Sequence, residues 1–562
     1  MSNYDDVKEE LYPNNHSEMW SYGKEKKDKL VPSSSNVKSI KALLKSILGD
    51  SYTEEQLNDL IRSSYLKDQK DISLSKYEWI KEYKLNIIKG SIYKIKKYFL
   101  DSNNIKQIRG GSIIIDYLND EAVLKVLNSN NLDEKNIIYC GGGNIFLAIP
   151  DVGQALGEKL CKDFEKYYTD VSLSAMNAFE SIDCSLYDLL FNFSEISRKV
   201  NNKLEERKKI KLYALNNDSK LNGIEINKKY IKFSAPILER DEDRVCKYCD
   251  VNDAKYIIYN KDEEDTYLCP SCLRKHKVGK EAKSKFVQEY ESVKSRIKYE
   301  PFNSVDDFKD DIAVIYGDGN NMGQIVMNVK NVYEMMYFSE KTDKAAKDSV
   351  YSSIDEIAKK YNKDKVMFEV IALGGDDIFI IIPAMNSLEV CSHIIKTFDQ
   401  TFNNKITMSM GVVISKASTP ISSTFDIAQR KLKNAKKLVK KEEVKEGSID
   451  VIELIGNFHV KESSAKSEFP MSVSKLNKFI EVINSAKEKN VRLNTQLNKL
   501  NYAQHNMENE EFDLFFLYQK SKCKGYGVHN LIENLYGKND KEKIYEPHKI
   551  NWDDILLLWK RI

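Results

Sequence analysis

Two stretches of the chain abandon both the helical and the strand period for continuous apolar runs around a glycine turn. Residues 366–383 read VMFEVIALGGDDIFIIIP, and residues 137–150 read IIYCGGGNIFLAIP. Each predicts a buried strand, a tight turn and a second buried strand, closed by proline. The later hairpin turns on Gly374-Gly375-Asp376-Asp377. The earlier one turns on Gly141-Gly142-Gly143-Asn144. The shared layout predicts an internal duplication of one α/β unit in which only the second copy carries an acid pair.

The remaining pattern fills in around these hairpins. Residues 37–48 and 53–65 have the spacing of short amphipathic helices, after a loop at 31–35. Residues 84–98 begin as a strand and continue as a basic helical run. Arg109-Gly110-Gly111-Ser112 leads into an apolar run, 113–118, that contains Asp116. Helical pattern covers 152–168 and 182–207. A strand is expected at 256–259 and a charged linking helix at 280–298. The second unit opens with a strand at 311–316, followed by Gly317-Asp318-Gly319-Asn320-Asn321-Met322-Gly323. Helices are expected at 326–338, 345–361 and 387–402, a strand at 406–415, a basic amphipathic helix at 426–439 and a closing strand at 449–455. Residues 466–562 have the leucine and aromatic spacing of a helical bundle, on which the last helix, 553–562 with Trp559, is expected to dock. The expected division is 1–83, a charged N-terminal region; 84–235, a first α/β domain; 236–308, a cysteine element and linker; 309–465, a second α/β domain; and 466–562, a helical domain.

Composition narrows the class. The 562 residues are 41% hydrophobic and 31% charged, with a net charge of +2. Nucleic-acid contact therefore has to come from local basic runs, at 207–211, 274–285 and 431–445, each of which also reads as a solvated helix face. The acidic, polar start does not read as a signal peptide, and no run of 18 apolar residues is present. Nine cysteines, four of them in two close pairs, suit a reducing, cytoplasmic setting better than a disulfide framework.

The two pairs, Cys246-x-x-Cys249 and Cys269-x-x-Cys272, have the spacing of a four-thiolate structural Zn²⁺ site. His276 beside them is a spare ligand or, more plainly, a surface residue. Two adjacent carboxylates at a buried turn repel one another unless a cation joins them. Mg²⁺ (or Mn²⁺) suits Asp376, Asp377 and Asp318, the acid at the end of its own strand, together with substrate phosphates. Gly374 and Gly375 admit a bulky anion close to the backbone. The other reading of Asp376-Asp377 is an acidic hairpin turn.

The order strand with Asp318, helices, Gly374–Asp377 hairpin, Thr407-Met-Ser409-Met-Gly411 strand and helix ending Ala435-Lys436 resembles the GGDEF nucleotidyl-cyclase palm, a ferredoxin-like α/β fold. With the duplicated palm, the four-cysteine element and the helical tail, it is similar to the large polymerase-like subunit of type III CRISPR effector complexes of Cmr/Csm type. The family's Asp-Gly-Asp-Asn-Met-Gly string appears as Asp318–Gly323, with Asn320 in place of the second acid.

The resemblance implies a nucleotidyltransferase that makes cyclic oligoadenylate from ATP when target RNA binds, within a complex of other subunits and crRNA. It implies that Asp318, Asp376 and Asp377 are catalytic and hold the metal. Gly319, Asn321, Gly374, Gly375, Gly411 and Lys436 would bind nucleotide, Lys436 at the triphosphate unless it is one more lysine on a basic face. Ser409 would touch base or ribose, or fill the sheet. Ser112, Gly142, Gly143 and Asn144 would hold an acceptor nucleotide. Many members begin with a His-Asp nuclease domain; no such pair occurs in the first 80 residues, so DNase activity is not expected. The alternatives are joining of ATP to S-adenosylmethionine, a silent RNA-complex scaffold, and a stand-alone dinucleotide cyclase.

Overall fold

The structure is a computed structural model. It describes residues 20–22, 30–32, 35–49, 52–65, 78–150, 155–210, 223–226, 229–233, 235–237, 244–259, 264–282, 285–292, 297–300, 308, 311–329, 331–442, 445–454, 466–489, 493–522, 525–537 and 540–562. The expected start of a helix at 152, the basic residue at 211 and the end of the closing strand at 455 lie outside the described residues. The chain divides into two compact units, one of Ser2–Glu289 with Asn321–Lys344, the other of Tyr290–Asn320 with Ala345–Ile562.

In the first unit, strands β1 (Lys84–Tyr93), β2 (Ile137–Gly141), β3 (Asn144–Pro150) and β4 (Met176–Ser185) form a sheet of order β2-β3-β1-β4. All neighbours are antiparallel. Helices α1 (Ile105–Asn119), α2 (Ala155–Ser172) and α3 (Phe193–Arg207) belong to the same unit. Residues 182–185, expected to start a helix, finish β4 instead. The four residues run straight into the helix Leu186–Phe191, for which Ser185 is the N-cap, so the helical pattern that follows hides the end of the strand. Arg109-Gly110-Gly111-Ser112 lies inside α1 and does not precede it.

The cysteine element follows. Its strands Tyr256–Ile258 and Thr266–Leu268 pair as a small ribbon, and helix α4 (Pro270–Glu281) starts on the second cysteine pair, with Cys269 as N-cap. The expected linking helix is thus two helices, α4 and Lys285–Ser292. Helix α4 crosses α1 backbone to backbone. A Cβ on Gly110 would run into the Lys275 carbonyl, and one on Gly279 into the Lys106 carbonyl. Gln107 Nε2 donates to the Cys272 carbonyl oxygen at 2.7 Å, and the buried Lys275 ammonium pairs with Asp101 at 3.1 Å. Gly110 of the 109–112 string therefore serves a helix crossing, and Gly111 lies against Phe99.

The second unit holds β5 (Ile312–Gly319), β6 (Glu369–Gly374), β7 (Asp377–Pro383), β8 (Met408–Ser415), β9 (Ser448–Glu453) and β10 (Met471–Ser472), in the order β6-β7-β5-β8-β9-β10. Strand β9 runs parallel to β8 and β10 antiparallel to β9. The helices expected at 326–338 and 345–361 are one long helix, α5 (Val332–Lys360), preceded by the short helix Met322–Met327. No proline or glycine interrupts residues 332–360, so nothing breaks the hydrogen-bond ladder. Helices α6 (Ser387–Thr401) and α7 (Ile421–Glu442) flank the sheet's strands in sequence.

The tail is helical throughout: α8 (Val473–Lys489), α9 (Leu493–Gln504), α10 (Asn509–Ser521), α11 (Val528–Tyr536) and α12 (Trp552–Arg561). Trp552 is fully buried against Phe512 and Phe516. The last helix docks on more than the bundle: Arg561 pairs with Asp311, just before β5, and with Glu453, at the end of β9.

The two sheets share one register. Phe146 of β3 lies opposite Lys89, and Phe379 of β7 lies opposite Tyr316. Each hairpin carries its irregularity at the same step, between Ile137 and Tyr139 in one and between Val370 and Ala372 in the other. Both second strands bury five consecutive side chains, which is why their sequences are unbroken apolar runs.

Candidate active site

Paired residues across a sheet share a face, as do residues two apart in a strand. The pairings therefore put Phe379, Tyr316, Asp318, Ser409, Gly411, Ser448 and Asp450 on one face of the second sheet. Helix α7 lies across it. A Cβ on Gly411 would meet the Ala428 carbonyl and the Leu432 nitrogen. Phe425 packs on Tyr316 at 5.1 Å and on Phe379 at 4.6 Å. Lys431 pairs with the buried Asp450 at 3.2 Å. The Ser448 hydroxyl donates to the Ala435 carbonyl at 2.8 Å. Four contacts along one stripe of the helix bring Lys436 to the hairpin end, where its ammonium pairs with Asp318 and donates to the Gly319 carbonyl at 2.8 Å.

Asp318 and Asp376 meet at that end, while Asp377 is not gathered with them into a group of three ligands among the described residues. Burial, then the charge of Asp318 and a hydrogen bond with it, then the charge of Asp377, push the Asp376 carboxyl well above the usual range. Beside Asp318 the Asp376 carboxyl is thus favoured in its protonated form. Asp377 is held by Tyr316, whose phenol donates to its Oδ1 at 2.8 Å. Burial, followed by the neighbouring carboxylates, raises the Tyr316 phenol, so it remains a donor. Gly375 takes a left-handed φ of +60°, and a Cβ there would touch nothing within 4 Å. The donor set is hard oxygen with a charge repulsion that a divalent cation relieves, which suits Mg²⁺ chemistry.

The expected nucleotide-binding residues are placed unevenly. Ser409 is fully buried and bonded within the sheet. Gly411 is the seat of α7. Asn321 takes φ +63° as N-cap of the short helix. Ser112 is buried inside α1. In the first hairpin Gly142 and Gly143 take φ of +58° and +80°, and Asn144 Nδ2 donates to the Gly142 carbonyl at 3.4 Å. A side chain at Gly143 would be strained by that φ and would run into Ile95. The same face of the first sheet carries Lys89 and Ser91 where the second carries Tyr316 and Asp318. Lys89 is nearly buried, its Nζ 5.2 Å from the Phe146 ring, and burial followed by the charge of Lys208 lowers it to about 8.

Sequence reasoning missed Tyr316, Ser448 and Asp450. Tyr316, two residues before Asp318, has a local signal; the other two depend on the parallel pairing of β9.

The four cysteines converge, their Sγ atoms all within 4.8 Å of one another. Cys249 and Cys269 Sγ stand 4.0 Å apart, which is no disulfide but close to the sulfur separation of a tetrahedron with Zn–S of about 2.3 Å. Among the described residues this is the one group of three or more such side chains so gathered. His276 is half-buried and stacks on Tyr248 at 5.9 Å, so it is not the surface residue expected.

Residues 311–445 match the family described as Cas10/Cmr2, second palm domain, and residues 85–225 match the Csm1 subunit domain B. The chain is Cas10/Csm1-like. Among solved structures it is similar to the Csm1–Csm4 cassette in complex with cA3, at 13% identity and a TM-score of 0.54 over 98% of this chain and 85% of that one. The cassette with cA4 gives 14% and 0.53 over 86% and 71%. Csm1 of T. onnurineus gives 13% and 0.51 over 85% and 70%. At these identities the likeness is one of fold. No curated protein matches the chain. Among the described residues no helix is long and apolar enough to cross a membrane.

Proposed function

We propose that the hairpin end of the second sheet is a nucleotidyltransferase centre that converts ATP to a cyclic oligoadenylate second messenger, within a type III CRISPR complex that engages crRNA and target RNA. The observation that carries this is the meeting of Asp318 and Asp376 beside Asp377, with the Lys436 ammonium on Asp318. A purely structural sheet has no use for a mutually repelling acid pair. Similar cassettes bound to cA3, cA4, pppApA and AMPPNP supply the substrate class.

Asp318 and Asp376 would hold divalent cations, which would supply neutralisation of triphosphate charge and a lowered pKa for an attacking 3′-hydroxyl. Tyr316 keeps Asp377 oriented for the same task. Gly374 and Gly375 leave room for phosphate against the backbone, and Lys436 meets the triphosphate. The first sheet repeats the register without the acids and binds a nucleotide through Gly142, Gly143 and Asn144 without metal. Together the two sheets are read as a duplicated ferredoxin-like palm. The four cysteines hold a structural Zn²⁺.

The test is Asp376→Ala with Asp377→Ala in the assembled complex, followed by mass spectrometry of products from ATP. Loss of product with intact assembly is expected. Product equal to that of the parent chain ends the proposal.

A further inference from the structure

Asn320 stands where the resemblance leads one to expect an acid, and its contacts are fully occupied. Its backbone N–H donates to the Thr407 carbonyl at 2.7 Å. Its side chain lies between two hydroxyls, Thr407 Oγ1 at 2.8 Å from Nδ2 and Ser409 Oγ at 2.9 Å from Oδ1. Ser409 Oγ continues to Ser448 Oγ at 3.0 Å, and Ser448 Oγ to the Ala435 carbonyl at 2.8 Å. Ser409 and Ser448 are both fully buried.

Proton counting fixes the direction of this chain. Each hydroxyl has one proton. With Oδ1 facing Ser409, the Ser409 proton serves Asn320 and the Ser448 proton serves Ala435, so the buried Ser409–Ser448 contact has none. The nitrogen and oxygen of an amide have the same shape and are assigned from their network. Turning the amide over fills every contact. Nδ2 donates to Ser409, Ser409 to Ser448, Ser448 to the Ala435 carbonyl, and Thr407 donates to Oδ1. An aspartate has no proton to begin the chain and leaves one buried contact unfilled.

We propose that Asn320 is a positioning residue of the transferase centre: it starts a hydrogen-bonded chain through Ser409 and Ser448 to Ala435 and so sets where Lys436 meets Asp318. The loop closes on itself, since Lys436 returns to Asp318 and Gly319, the residues just before Asn320. An amide is therefore required at position 320, and no metal is bound there. This rests on the proposed function for its activity readout only.

The experiment compares Asn320→Asp, Ser448→Ala and Lys436→Met, singly and combined, in the full complex. Losing one buried hydrogen bond should lower turnover about tenfold in Asn320→Asp and in Ser448→Ala. The double variant should fall no further than either single one, because both break one chain. In the Lys436→Met background Asn320→Asp should have no additional effect, whereas general damage to the sheet would persist there. Independently, amides at the C-terminal end of α7 should exchange about tenfold faster in Asn320→Asp and Ser448→Ala. Turnover or Mg²⁺ affinity raised by Asn320→Asp overturns the proposal, as do multiplicative losses. If Asp376→Ala with Asp377→Ala leaves product unchanged, the functional reading fails instead, and the exchange rates alone decide the positioning role: unchanged rates overturn it.

Discussion

Lys89→Met should make the protein more stable. Lys89 sits mid-strand on a sheet face, almost buried, over the Phe146 ring. Burial and then the like charge of Lys208 lower it from 10.5 to about 8, with Glu205 opposing. Near pH 7 it is protonated both folded and unfolded. Keeping that ammonium in the sheet then costs at most about 3 kcal/mol relative to the unfolded chain. Between about pH 8 and 10.5 the unfolded chain holds a proton that the folded one has released, so stability rises with pH across that window.

Methionine has a similar length and no charge. The variant should therefore gain up to about 3 kcal/mol near pH 7, and the gain should shrink as pH climbs through 8 towards 10.5. Equilibrium urea unfolding of the full chain near pH 7 and about pH 9.5, with pulsed hydrogen exchange of the β1 peptide as the probe, measures it. A variant less stable than the parent near pH 7, or a difference that does not change with pH, would refute the reasoning. A cation retained at such a cost, in the register that Tyr316 occupies in the other sheet, marks the first sheet's face as more than packing.

Three further outcomes follow from the same geometry. Cys249→Ser with Cys272→Ser should abolish stoichiometric zinc by elemental analysis and lower the melting temperature of the full chain; a zinc-free parent would end the metal reading. Gly411→Ala should cost about 1–3 kcal/mol by overpacking, because its Cβ meets the backbone of α7 and not a side chain that can move; thermal melts and product formation should fall together. Gly143→Asp with Asn144→Asp should not rescue product formation in the Asp376→Ala, Asp377→Ala chain, since φ of +80° and the Ile95 contact exclude a side chain at the turn; recovery of product would show that composition alone separates the two hairpins.

The hairpins were legible because both faces of their second strands are buried, which leaves unbroken apolar runs bounded by glycine. The cysteine element was legible because metal spacing is local. The end of strand β4 was not, since it leads without a break into the helix Leu186–Phe191. Two helices merge into α5 for another reason: polar residues within 332–360 interrupt the amphipathic stripe without interrupting the backbone ladder. Among the site residues, Asp318, Asp376 and Asp377 stood out by charge in a glycine-rich setting, whereas Lys436, one lysine among many on its helix, stood out only through the resemblance. Ser409 and Gly411 were noticed for the right strand, yet one is consumed by a hydrogen-bonded chain and the other by a helix seat.

The sequence by itself determined where the apolar hairpins, the acids and the thiols lie, because burial and ligand chemistry act through residue type and short spacing. Only the tertiary structure decided what each polar group does. Tyr316 becomes the support of Asp377 through strand pairing across 61 positions. Asn320 becomes the start of a chain to Ala435 only because β9 pairs parallel to β8 and brings Ser448 beside Ser409. Such roles depend on which donor meets which acceptor across distant segments, and that geometry is set by packing of the whole sheet against α7.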